Sequence, residues 1–291
     1  MIFWNWAIGI GIGTAVLLYL LGWRQQSLAD SPAMLSDSWR GVSFAAALLM
    51  LTLALFSPLH TLATRYFYLH ALQRLLLVAA VPALLLSGNP LPILLAGLPA
   101  GVRTWLTNIP DAAPRLYHLF SQATRPVPTW FLFVSTFWLW HDVQISRWLL
   151  QSSWLHRLEN VTLLGTAVLY WWHIMAASPR LRPPMPLLWR VGYAALGAMP
   201  IKLVGLVLMF TDTAVYQYPA EVSFNNLDIT DQSLGAGIEW IAGGIVFTWT
   251  AVILLRGWLQ VEEDKPILPE SIWSAEEMIL APGFGKSSRP K

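Results

Sequence analysis

The sequence predicts an all-α fold, a polytopic membrane helical bundle of about seven transmembrane helices with the N-terminus out and the C-terminus in. Three observations predict it. The 291-residue chain is 56% hydrophobic and only 12% charged, with a mean hydropathy of +0.52, whereas a soluble globular chain carries about 25% charged residues. Apolar runs long enough to cross a bilayer, about 20 residues each, recur along it. The basic residues concentrate between alternate runs, as positive-inside topology requires.

The first run, Ile2–Trp23, has no basic segment before it and no small-residue cleavage site after it. It reads as a first helix that doubles as an uncleaved targeting signal. Trp39–Phe56, Tyr66–Ser87, Thr129–Leu149 and Leu158–Ala177 follow, with Arg74 inside the Tyr66 run. Leu187–Phe210 contains Pro200 and Lys202, and Leu234–Leu255 contains Glu239 and several glycines; Pro and Gly are tolerated in membrane helices. Leu91–Leu98, between Pro90 and Pro99, is too short to span and is assigned to the interface. Residues 1–259 thus read as one transmembrane domain. Residues 260–291 are polar, with four prolines and mixed charge, the composition of a poorly ordered cytoplasmic tail.

Orientation follows from the loops. With seven spans, Arg24, Arg40, Arg103, Arg115, Arg125, Arg180, Arg182, Arg190 and the basic residues after Arg256 share one side. The other side holds Arg65, Arg147 and Arg157, and its last loop, Thr211–Gln232, carries Asp212, Glu221, Asp228 and Asp231 instead. The first side is cytoplasmic.

Composition also excludes functions. A net charge of +2 makes no case for a nucleic-acid partner, and the absence of cysteine removes disulfides, thiolate metal sites and Cys nucleophiles. Nothing supplies a nucleophile with an adjacent base, so the chain is not expected to be an enzyme. Eight Met and six His remain as metal donors. The 17 Trp read first as an interfacial belt, because Trp4, Trp6, Trp23, Trp39, Trp154, Trp189 and Trp258 fall near run ends.

Placed by depth, the ionisable and amide side chains collect at the outer end of the bundle: His60, His70, Gln73, Arg74, His141, Asp142, His156, Glu159, Asn160, Asp231, Gln232 and Glu239. His173 lies near the inner end, and Lys202 near the middle of its span. A charge within a span costs about 2.5–3.5 kcal/mol on insertion scales. Arg74 and Glu239 lie at similar depth, and an Arg74–Glu239 ion pair is the expected solution. Lys202 either pairs with a group of another chain or marks a polar cavity. A metal site would need His70, His141 and His156 to converge from three helices; otherwise each imidazole bonds backbone or water.

The order of these motifs is also informative. H-A-L-Q-R-L-L-L-V-A-A-V-P-A-L-L-L-S-G-N-P (His70–Pro90) resembles the H-x-x-Q-H segment, ending in G-x-P, of the multi-spanning CtaG family of cytochrome c oxidase assembly factors. W-L-W-H (Trp138–His141), W-L-H-R-L-E-N (Trp154–Asn160), Y-W-W (Tyr170–Trp172), V-Y-Q-Y-P (Val215–Pro219) and D-Q-S-L-G-A-G-I-E-W (Asp231–Trp240) are similar to its further motifs, in order, over about residues 40–258. The resemblance implies a bacterial inner-membrane protein that helps mature the copper centre of a haem–copper oxidase from the outer face. Its partners would be an oxidase subunit or other assembly proteins, within the lipid bilayer, and copper the group handled through His70, His141 and His156. Three family positions differ. The second histidine of H-x-x-Q-H is Arg74, that of W-x-H-x-x-E-H is Asn160, and the methionine of the D-Q motif is Glu239. The functional expectations are therefore a copper chaperone, a metal-free membrane scaffold for oxidase assembly, a haem-binding redox protein or, ranked last, a transporter.

Overall fold

The computed structural model describes residues 2–28, 38–180, 182–220, 222–224 and 229–265. Glu221, Asp228 and residues 266–291 of the expected tail lie outside the described residues. The helices are α1 (Ile2–Leu28), α2 (Ser38–Phe56), α3 (Pro58–Leu62), α4 (Phe67–Leu75), α5 (Val81–Ser87), α6 (Leu91–Ala96), α7 (Ala100–Thr107), α8 (Ile109–Ala112), α9 (Pro114–Ala123), α10 (Pro126–Trp140), α11 (Val143–Gln151), α12 (Ser153–Met175), α13 (Leu187–Met209), α14 (Asp231–Gly237) and α15 (Gly243–Glu263). Two-residue strands, β1 (Ser223–Phe224) and β2 (Ile229–Thr230), pair antiparallel just before α14. A π-helical turn, Leu76–Ala80, joins α4 to α5, and another, Ile238–Ala242, joins α14 to α15.

Five helical segments are long and apolar enough to cross a membrane: Trp6–Gln26, Ser38–Phe56, Phe67–Ser87, Leu187–Met209 and Asp231–Glu263. The protein is therefore a helical membrane protein. The two other expected spans differ from their sequence reading. Thr129–Leu149 is not one helix: α10 ends at Trp140 after 15 residues, about 22 Å, against a hydrocarbon core of about 30 Å. The break has a local cause. Asp142 takes extended geometry and its Oδ1 accepts from the backbone N–H of Gln144 (2.9 Å) and Ile145 (3.0 Å), an N-cap that starts α11 afresh. The other, α12, is a full 23 residues, but His156, Arg157, Glu159 and Asn160 occupy its first two turns. At the C-terminus, α15 continues to Glu263, so the first residues of the expected tail are helical.

The segment Phe67–Ser87 is the hub. Most of it is buried inside the bundle, whereas little of Trp6–Gln26 is. Pro82 has no N–H to offer the Val78 carbonyl four residues before it, and Trp171 Nε1 of α12 donates to that carbonyl at 2.9 Å. Trp171 is wholly buried, whereas Trp6, Trp39, Trp154 and Trp189 are exposed, as a belt requires. Leu91–Leu98, expected in the interface, packs α6 against α1 and α2, with Ile93, Tyr19 and Phe44 forming a small apolar cluster. Glycines let α1 and α6 touch: a Cβ on Gly22 would run into the Ile93 carbonyl, and one on Gly97 into the Leu18 carbonyl.

Gly22→Ala and Gly97→Ala should each lower the thermal unfolding midpoint of the purified protein, by about 1–3 kcal/mol of overpacking strain, whereas Gly11→Ala, beside open space, should leave it unchanged.

Candidate functional site

The site is held together by helix ends. Asp231, first residue of α14, points its carboxylate at the start of α4, where Oδ2 accepts from Phe67 N–H (2.7 Å) and Oδ1 from Tyr68 N–H (3.3 Å). These are orphan donors of a helix N-terminus, which a negative group satisfies. The next residue, Gln232, accepts from Val215 N–H at 2.7 Å and donates to the carbonyls of Leu208, Thr211 and Thr213 at 3.2–3.3 Å. It thereby fixes the chain leaving α13, and Tyr216 and Tyr218 on that chain turn inward and are buried.

Between these ends lies a buried polar cluster. His70, Gln73 and Arg74 come from α4, and His156, Glu159 and Asn160 from α12; all are at most 2% exposed. Arg74 Nε donates to Glu159 Oε1 at 2.6 Å, and Arg74 Nη2 donates to the Trp140 carbonyl at 2.9 Å. That carbonyl ends α10, so the guanidinium also caps a helix C-terminus, where positive charge is favoured. His70 Nε2 is 2.9 Å from Glu159 Oε2 and His70 Nδ1 is 2.6 Å from the Tyr218 hydroxyl. Burial pushes the Tyr218 phenol up, so it stays protonated at neutral pH. The pair of bonds fits a neutral imidazole that accepts from Tyr218 and donates to Glu159. His156 Nε2 bonds Gln73 Oε1 at 2.9 Å, while Gln73 Nε2 donates to the Ala54 carbonyl at 2.7 Å and faces His60 Nδ1 at 3.2 Å. The His60 and His156 rings stack 4.7 Å apart. Burial, and then the Arg157 charge, hold the His60 imidazole below its usual pKa, so it is neutral at pH 7.

The expected ion pair takes a different partner. Arg74 pairs with Glu159, and Glu239 instead bonds His141 Nε2 through Oε1 at 3.0 Å. Depth counting gave Arg74 and Glu239 the same level but carried no information about rotation around each helix axis. Nor do the three histidines converge. His70, His156 and Glu159 come together, with donor atoms within 4.8 Å of one another. His141 is bonded to the Phe137 carbonyl (2.8 Å) and Glu239, outside that group. The His70 and His156 rings meet edge to face at 5.2 Å, leaving no room between them for a porphyrin. His173 is bonded to the Thr124 carbonyl (3.0 Å), apart from the cluster. Among the described residues, Arg74 Nη1, Glu239 Oε2 and both amide atoms of Asn160 are buried without a hydrogen-bond partner. These are the atoms by which the cluster could take up a further polar group.

The family of cytochrome c oxidase caa3 assembly factors (Caa3_CtaG) matches residues 17–261. The chain belongs to this family. Among curated relatives, uncharacterised proteins of Mycobacterium bovis and Mycobacterium tuberculosis are each 24% identical over 203 residues, covering 66% of this chain and 30% of theirs. One from Mycobacterium leprae is 24% identical over 227 residues, covering 72% of this chain and 33% of its own. The chain thus spans about a third of the length of these relatives. No solved structure matches it.

In this chain the family motifs turn out to be joints. D-Q ties α14 to α4 and to the end of α13, and Y-x-Y lays two phenols over the cluster, with the Tyr216 hydroxyl donating to the His141 carbonyl at 2.7 Å. Sequence reasoning placed Glu159 among outer polar residues without giving it the central role. The signal was available: Glu159 and Arg74 each follow a histidine of the same motif set, at i+3 and i+4, which puts each on its helix's histidine face. Tyr216 and Tyr218 were missed as members, because loop residues carry no periodicity to place them, and His60 was placed at the outer end without its contact to Gln73.

A double-mutant cycle should find Arg74 strongly coupled to Glu159. Glu159→Gln alone should destabilise by about 3–5 kcal/mol, the usual cost of stranding a buried charge. Adding Arg74→Met should recover much of that, while the Arg74/Glu239 cycle should lie closer to additive.

Proposed function

We propose that this protein is a multi-pass assembly factor of the bacterial inner membrane that serves a haem–copper oxidase as a metal-free scaffold, not as an enzyme. Family membership supports the assembly role, and the charge bias of the loops supports seven crossings with the polar cluster on the outer side. On this reading α10 with α11, and α12, supply the two crossings beyond the five apolar spans. The partners are an oxidase subunit or its other assembly proteins.

One observation carries the metal-free reading: the donors around His70, His156 and Glu159 are already committed to one another. Both Glu159 oxygens, both His70 nitrogens and His156 Nε2 are hydrogen-bonded within the protein. A permanent guanidinium, Arg74, stands 2.6 Å from the carboxylate. Copper delivered as Cu(I) favours thiolate, thioether and imidazole ligands. Here the family's two further imidazoles and its thioether are replaced by Arg74, Asn160 and Glu239. A cation entering this group would stand beside a buried positive charge already paired with its carboxylate, so the residues present do not fit copper. Between the remaining alternatives, the haem reading loses support from the ring contact of His70 with His156.

Deleting the gene should abolish oxidase activity in isolated membranes, and added copper should fail to restore it. Purified protein titrated with Cu(I) should show no stoichiometric binding. Rescue by copper, or one-to-one binding, would establish the chaperone reading; unchanged oxidase activity would remove the assembly role.

A further inference from the structure

Lys202 is exposed on α13, a membrane-crossing helix. It lies seven residues before Met209, the last residue of α13, which puts its Cα about 10 Å from that end. Side chains on a helix tilt toward its N-terminus, so this one leads away from the nearer end and toward the middle of the bilayer. Packing agrees. A Cβ built on Gly244 of α15 would stand 3.1 Å from Lys202 Cε and 3.5 Å from Nζ, so the ammonium lies beside Gly244. That glycine is thirteen residues along the helical run that starts at Asp231, or about 20 Å. From both helices the charge is near the centre of a hydrocarbon core about 30 Å thick. It has not snorkelled to the surface.

No carboxylate pairs with it among the described residues; the ion pairs there involve His70, Arg74, His141 and Lys265. Lys202 is exposed, as are Met199 and Leu206 one turn to either side. The acidic residues at membrane depth, Glu159 and Glu239, are buried and engaged with Arg74, His70 and His141. Among the described residues, a second copy of this chain therefore has no exposed carboxylate to offer at that level. An unpaired ammonium facing lipid is unfavourable, and in that low-dielectric setting an opposite charge is strongly attracted.

We propose that Lys202 is a docking charge: the α13–α15 face beside Gly244 receives a transmembrane helix of a different protein that carries an Asp or Glu at mid-membrane depth. Given the assembly role proposed above, on which the partner's identity rests, that helix belongs to the oxidase or to another of its assembly proteins. Gly244 keeps α15 low beside the lysine, leaving the ammonium accessible to an apposed helix.

Native membranes treated with a membrane-permeant carbodiimide test this, because the reagent condenses an amine with the carboxylate paired to it into an amide and leaves as the urea. Peptide mapping should find Lys202 joined to an Asp or Glu side chain within a transmembrane segment of another protein. In the same cells, Lys202→Leu should accumulate with an unchanged or raised unfolding midpoint yet lower assembled oxidase by about tenfold or more, as loss of one partner of a desolvated pair does. Lys202→Arg should retain assembly. The proposal is overturned if Lys202 is recovered unlinked, or linked to this chain's own carboxylates. It is also overturned if Lys202→Leu is unstable or supports full assembly. Oxidase levels indifferent to deletion of the whole gene would sink the assembly reading instead, and the Lys202 adduct would still decide the docking.

Discussion

A permanently charged guanidinium sits inside this bundle, and much of the surrounding architecture can be read as its accommodation. Arg74 cannot be neutralised by losing its proton, so its charge must be met in place. Glu159 meets it at 2.6 Å and the end of α10 supplies a carbonyl. The remaining Glu159 oxygen is taken by His70, which in turn is held by Tyr218. Hydrogen bonds chained in this way strengthen one another. This is why elements distant in sequence, α4, α10, α12 and the chain after α13, are locked at one level.

The same constraint explains the irregular backbone. In lipid every backbone polar group needs a partner within the protein, yet α10 stops after 15 residues and two membrane helices contain π-turns. Each irregularity sits beside a group that repairs it. Arg74 and Tyr216 take carbonyls at the end of α10, Trp171 takes the Val78 carbonyl freed by Pro82, and Asp231 takes the first donors of α4. The π-turn at Ile238–Ala242 contains Glu239, whose carboxylate bonds His141. π-turns are frequent at functional sites, and here they lie next to Arg74 and Glu239.

Replacing His by Arg and Met by Glu converts a set of neutral soft donors into two opposite charges. The structure resolves them into two separate buried contacts, Arg74 with Glu159 and Glu239 with His141. Both charges are thus held against side chains of this chain rather than against each other.

Fold class, the apolar spans and the gathering of polar residues at one end were legible in the sequence, because each depends on position along the chain: hydropathy sets the spans, and residue counting sets depth. The motif order was legible for the same reason. The partners were not. Whether Arg74 meets Glu239 or Glu159, whether His141 joins His70 and His156, and which face Lys202 looks out from depend on how each helix is rotated against its neighbours. That rotation is set by close packing, such as Gly235 against Phe67 and Gly205 against Trp240, and by caps such as Asp231 on α4, which join residues more than 160 positions apart. Composition and spacing pointed to a membrane helix bundle with polar residues gathered at one end. Only the tertiary structure decided which charges touch, because azimuth around a helix axis is fixed by contacts that no local pattern encodes.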